Sequence, residues 1–293
     1  MKIFFLSFVM VLISSFGFSQ VINVSTTTYT VPQLVQNVLF GSGVGSGACA
    51  GTISNITWST GSNFGGPNGI GSFTNTNPNF PLSSGVILTS GSVAAAPGPN
   101  TTTQSNGSNT TWPGDTQLLN YIQALGIDPM LNTYKNASIL EFDFIPLTNT
   151  MSFDFLFASE EYGQYQCDFS DSFAFFLTNV TAGTPFTNLA LIPSTTTPVS
   201  VITIRNNLYN AGCVSANPTF FDKYYLLPQG VNPNSAPINF NGHTVKMTAN
   251  SVVVPNNTYH IKLVVADRND NMLDSAVFLG GGSFNIGQAN ISG

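Results

Sequence analysis

Charge is scarce in this chain: 7 Lys and Arg stand against 13 Asp and Glu in 293 residues. Between Lys135 and Arg205 there is no cation at all. The formal net charge of −6 leaves nothing to neutralise phosphates, so nucleic acid is excluded as a partner. Good helix formers such as Lys, Glu and Arg are few, which argues against a bundle of amphipathic helices. After residue 20 no apolar run approaches the length of a membrane span, so the mature chain carries no transmembrane segment. No G-x-S-x-G occurs, and neither Ser nor Cys has a His in nucleophile context. His243 and His260 lie in strand-like runs.

What is present is Thr, Asn, Ser, Gly, Val and Phe, a composition suited to short strands joined by turns. The first residues, MKIFFLSFVMVLISSFGFSQ, have a positive start at Lys2, an apolar stretch from Ile3 to Ile13 and small residues before Gln20. This is the form of a cleavable secretory signal peptide over residues 1–19. Export to an oxidising compartment allows cysteines to pair. Cys167 and Cys213 both sit in polar, loop-like surroundings, and we expect them to form a disulfide, leaving Cys49 odd.

Along the chain, Val31 to Phe40 reads as a helix with Pro32 in its first turn, and TISNITWST (52–60) as a strand with a bend. Ser84 to Gly91 reads as a buried strand. Residues 92–115 form a Pro-, Gly-, Ser-, Asn- and Thr-rich loop, either passive or contacting a ligand through Trp112. Asp115 caps a helix over 116–126, with Leu118, Leu119, Ile122 and Leu125 on one face and Gly126 at its end. From 138 onward the period is two: 138–147, 150–162, 171–180, 188–193, 198–204, 243–254, 258–267 and 275–284 read as strands. The interval 205–241 is rich in Pro and loops. The expected architecture is all-β, an antiparallel, jelly-roll-like β-sandwich spanning residues 20–285 with one short helix, followed by a linker or chain end at 286–293.

Ten of the 13 carboxylates fall in 141–171 or 267–274. Crowded carboxylates without cations repel, and burial sharpens the repulsion. Solvent, backbone hydrogen bonds or a metal must compensate. Ca²⁺ suits oxygen-rich ligand sets. Asp267, Asn269 and Asn271 have D-x-N-x-N spacing, and Asp274 follows, although the loop lacks the Gly and distant Glu of an EF-hand. The equal alternative is that Asp267 and Asp274 cap turns while Arg268 pairs with a carboxylate. Glu160 and Glu161, adjacent and so on opposite faces of a strand, reach one site only if the strand has ended. The expected metal set is Glu160, Glu161, Asp168, Asp171, Asp267, Asn269, Asn271 and Asp274. A glycosidase would use two carboxylates, but nothing separates an acid from a nucleophile here.

FDFLFASEEY (153–162), DSFAFFL (171–177) and YHIKLVVADRNDNMLDSAVFLGGGSF (259–284), in that order, resemble the choice-of-anchor L domain, with SSGVILTSG (83–91) and GSFTN (71–75) fitting its earlier part. The resemblance implies a secreted or surface β-rich module of the kind exported by gliding-type Gram-negative bacteria, joined to varied C-terminal anchors. It implies no reaction, ligand or catalytic residue. No anchor is visible by Gly293, so we expect either a released protein or a chain that continues. The reading is thus a non-catalytic extracellular or cell-surface module, Ca²⁺-stabilised, serving adhesion or surface assembly through glycans or other surface proteins. The alternatives are a lectin-like domain stacking sugars on Trp112, Tyr162 or Tyr165, and a glycoside hydrolase using the acidic cluster.

Overall fold

The computed structural model describes residues 21–41, 52–107 and 110–287. The signal peptide, Cys49 and most of the 286–293 linker fall outside the described residues.

Period-two alternation builds two antiparallel sheets. The larger orders its strands β1 (Asn23–Ser25), β3 (Ile70–Thr74), β4 (Ser84–Thr89), β13 (Ser275–Gly280), β6 (Thr150–Ser159), β10 (Gly242–Thr244) and β9 (Phe221–Tyr224), with β11 (Met247–Val252) also on β6. The smaller orders β2 (Ile53–Ser59), β5 (Tyr134–Phe144), β12 (Tyr259–Arg268), β7 (Ser172–Asn179) and β8 (Thr187–Asn188). The run expected as one strand over 243–254 is broken into β10 and β11, which pair with β6 end to end. At the break the Thr244 hydroxyl accepts from Phe157 N at 3.0 Å, replacing a ladder bond. The bend expected in β2 occurs at Asn55, at φ 51°, where the register with β5 shifts.

Between the sheets, the inward positions of β5 (Leu140), β6 (Phe153, Phe155, Phe157), β7 (Phe173, Phe175), β12 (Ile261, Leu263, Val265), β4 (Val86, Leu88) and β13 (Val277, Leu279) form the main core. The rings meet edge-on or stacked, Phe153 against Phe175 at 5.0 Å and Phe157 against Phe173 at 5.0 Å. Both outer faces are covered as well. Helix α2 (Thr116–Leu125), capped by the Asp115 carboxylate accepting from Leu118 N at 2.8 Å, lays Leu118 and Ile122 on Ala174, Phe176, Val264 and Ala266 of the smaller sheet. Loop residues Phe80, Leu82, Tyr225, Ile238 and Phe240 cover Leu156, Ala276 and Phe278 of the larger one. The expected helix at 31–40 is present as α1 (Val31–Gln33) and a wider continuing turn over Leu34–Leu39.

Two expected strands are absent. Over 188–193 pairing is confined to β8 and an isolated bridge at Leu191, and 198–204 is a series of turns. Ile192, Val199, Val201 and Ile204 are nevertheless buried in the main core. Their apolar character serves the packing of a loop closed on itself, where Thr203 Oγ1 donates to Pro198 O at 2.7 Å and Ser200 N donates to Thr203 Oγ1 at 2.9 Å. The Cys167–Cys213 disulfide is formed, closing a span of 46 residues and tying the loop after β6 to the 205–220 segment.

Candidate functional site

At one end of the sandwich the core changes chemistry in a single step along the strands. Leu88, Leu140, Phe157, Phe173, Val265 and Val277 make up the last apolar layer. Two residues further along the same strands, hence on the same inward side, stand Ser90, Ser138, Ser159, Asp171, Asp267 and Ser275. All are buried. Against β7 the register of β12 runs unshifted through Val265–Phe173 and Ala266–Ser172, which sets Asp267 level with Asp171, whereas against β5 it shifts between Val265 and Asp267.

The hydroxyls are mostly engaged. Ser138 Oγ donates to Thr89 O at 2.7 Å, Ser159 Oγ accepts from Glu161 N at 3.0 Å, and Ser90 Oγ accepts from Ser275 N at 2.9 Å. The Ser275 hydroxyl is near enough to favour the charged form of Asp171, yet it does not stand in hydrogen-bonding geometry to any partner. Asp171 Oδ1 accepts from Arg268 N at 2.9 Å, whereas its Oδ2 has none. Asp267 is 0% exposed, and neither of its carboxylate oxygens has a hydrogen-bond partner. The Ser90 hydroxyl is near enough to favour the charged form of Asp267, yet it does not stand in hydrogen-bonding geometry to either oxygen. Glu161, one step beyond Ser159, accepts from Asp171 N at 2.7 Å.

The adjacent Glu160 faces the other way. It lies on the outer side of the larger sheet with Asp274, where a strap from the 92–115 loop crosses both. Gln104 N donates to Glu160 Oε1 at 3.1 Å, and Asn106 N donates to both Asp274 oxygens at 3.0 and 2.9 Å. Asp274 presses so closely on Gly91 that a Cβ there would meet Asp274 Oδ2 at 1.9 Å. Leu273 is held at φ 64°, a costly conformation for this residue, with its N–H donating to Ser105 Oγ at 3.2 Å.

Among the described residues Arg268 is the one buried cation, and its guanidinium is taken by Asp128, with Nη2 on Oδ1 at 2.8 Å and Nε on Oδ2. No free cation among the described residues therefore balances the five carboxyls Glu160, Glu161, Asp171, Asp267 and Asp274, and only backbone and side-chain N–H groups serve them. Burial, with repulsion from Asp274, pushes Glu160 up to about 8. Burial pushes Asp274 up to about 6, against the Asn106 hydrogen bonds. Glu161, Asp171 and Asp267 are also raised, first by burial and then, for Glu161 and Asp267, by the charge of Asp171.

The structure thus brings Glu160, Glu161, Asp171, Asp267 and Asp274 to one end of the sandwich, on two sides of one sheet. It does not bring the remaining expected ligands there in the same way. Asn269 turns away: its Oδ1 accepts from Asn132 N at 2.7 Å and Thr133 N at 3.2 Å. Asp168 is exposed and contributes its backbone carbonyl to Arg268 Nη1 at 3.0 Å. Asn271 lies in the β12–β13 loop beside Asp270, which caps that turn by accepting from Met272 N at 2.9 Å. Among the described residues no three of the His, Cys, Asp and Glu side chains are grouped so as to hold a metal ion. An ion here would take at most two of these carboxylates and fill its shell with hydroxyl, carbonyl or water oxygens.

Trp112 is no sugar platform: it is 3% exposed and its indole N–H donates to Ala137 O at 2.8 Å. Tyr162 is fully buried against Phe221 and Tyr224. Tyr165 is 40% exposed. Sequence reasoning missed the serines of the polar layer, although the period-two continuation from each apolar strand into Ser or Asp marks them. Nothing local marks Gln104 and Asn106.

The family model of the choice-of-anchor L domain matches residues 23–285. No curated protein and no solved structure matches the chain. No helix among the described residues is long and apolar enough to cross a membrane.

Proposed function

The chain belongs to the choice-of-anchor L domain family, and from that premise we propose that it is a non-catalytic module of a secreted or cell-surface protein, serving adhesion or surface assembly, with its acidic strand ends stabilised by Ca²⁺. One observation carries the ion: Asp267 is buried with both oxygens unpartnered. Buried polar groups are nearly always satisfied, and a buried carboxylate whose oxygens no protein group serves, set among other acids, has the chemistry to ligate a cation. A bound ion would join β7, β12 and β13 at their shared end and add its binding free energy to folding. Burial also weighs against hydrolysis. Glu160 and Glu161 lie beneath the 104–106 strap and the strand ends, where no glycan chain can flank them. With Trp112 and Tyr162 in the core, surface binding of glycans or proteins falls to exposed groups such as Tyr165.

Thermal melts of the metal-stripped protein in EGTA and in millimolar Ca²⁺, at pH 6 and pH 8, test the ion. We expect a higher midpoint with Ca²⁺. Equal midpoints at both pH values refute it.

A further inference from the structure

Resting on the Ca²⁺ reading of this end of the sandwich, we infer that the ion occupies the inner side of the polar layer, on the Asp267 oxygens and Asp171 Oδ2 beside the Ser275 hydroxyl. The inner side is singled out because it collects the orphans. Both Asp267 oxygens, Asp171 Oδ2 and Ser275 Oγ lack partners, each on a side chain no more than 1% exposed. On the outer side Glu160 and Asp274 are already served by the N–H groups of Gln104 and Asn106. Two carboxylates and a hydroxyl are also compatible with the absence, among the described residues, of any grouping of three acidic or His/Cys ligands. Hard oxygen donors of this type select Ca²⁺ over softer metals.

Every charged neighbour of the site pushes in one direction. Asp267 faces Asp171 ahead of β7, Asp274 ahead of β13 and Glu161 beyond β6. Asp171 faces Asp274 and Asp270, and receives a backbone N–H from Arg268. The Arg268 guanidinium is held by Asp128. Tyr134, from β5, is raised by burial and remains a neutral phenol. A divalent ion on this side would neutralise the repulsion and give the unpartnered oxygens a ligand at the same time.

The test uses the full metal-stripped chain. Ca²⁺ is titrated calorimetrically at pH 8, with melts in parallel. We expect loss of the Ca²⁺-dependent midpoint shift in Asp267→Asn and Asp171→Asn. In EGTA at pH 8, Asp267→Asn should melt no lower than the native chain, because a structural cap would be missed and an uncompensated acid would not. Ser275→Ala, which leaves both acids in place, should weaken Ca²⁺ about tenfold, and it decides the matter if the Asp variants fail to fold. An undiminished Ca²⁺ shift in Asp267→Asn, or in Ser275→Ala where the former does not fold, puts the ion elsewhere. That outcome overturns the assignment while the Ca²⁺ reading stands. No Ca²⁺ effect on the native chain overturns both.

Discussion

Raising the pH of the metal-free protein should destabilise it, and Glu160 should carry a measurable share. Its carboxyl is raised from 4.5 to about 8 by burial beneath the strap and by Asp274. A group raised in the folded state binds its proton there after the unfolded chain has released it. The stability it contributes is complete below about pH 4.5 and drains away as pH climbs through 8. At about 1.4 kcal/mol per pH unit, the whole effect is on the order of 5 kcal/mol, and roughly 1.4 kcal/mol of it falls between pH 7 and 9. In that upper window the other raised groups, Glu161, Asp171, Asp267 and His260, push the same way, so the share of Glu160 is read as the difference between the native chain and its Gln variant. His243, buried and lowered to about 4, works in the opposite direction, but its contribution is complete by about pH 7. Glu141 and Asp154, both lowered by their cationic partners, act below pH 4.5. The measurement is urea unfolding in EGTA at pH 7, 8 and 9, followed by tryptophan fluorescence, since Trp112 is buried. Glu160→Gln keeps an acceptor for Gln104 N and cannot ionise, so it should remove roughly 1.4 kcal/mol of the fall over this window. A native chain whose stability is flat or rising from pH 7 to 9, or a Glu160→Gln chain that falls as steeply as the native one, refutes the reasoning.

Two further outcomes are expected from the fold itself. Cys213→Ser frees a span of 46 residues and should cost about 4 kcal/mol in urea unfolding at neutral pH, with the reduced native chain falling to the same level. Asp115→Ala removes both the Leu118 N–H cap and the 2.5 Å ion pair with Lys262, which is itself largely buried, and should cost about 2 kcal/mol. Asp115→Asn retains the cap and should recover about half of that in the same assay.

The strands that anchor the acidic end were legible because one face of each is uniformly apolar. In β6 the alternation of Met151, Phe153, Phe155 and Phe157 fixes which side faces the core, and it carries on unbroken to Ser159 and Glu161. The same count puts Glu160 on the opposite side, and that is where it lies, beneath Gln104. Alternation fails where burial comes without pairing: Ile192, Val199 and Val201 are as buried as any strand residue, but their backbone closes on itself in turns. Aromatic residues mislead for the same reason, since Trp112 in a polar loop reads as a platform and serves as a plug whose N–H finds Ala137 O. The division of the acids into an inner and an outer set was beyond local pattern. It depends on a contact between Asn106 and Asp274, 168 residues apart, and on Asn269 being claimed by the backbone of 132–133. D-x-N-x-N spacing records only that alternate side chains share a side. Which of them is left without a partner is decided by the segments that fold against the loop. Here those segments satisfy Asn269 and Asp274 and leave Asp267 as the buried acid that still lacks one.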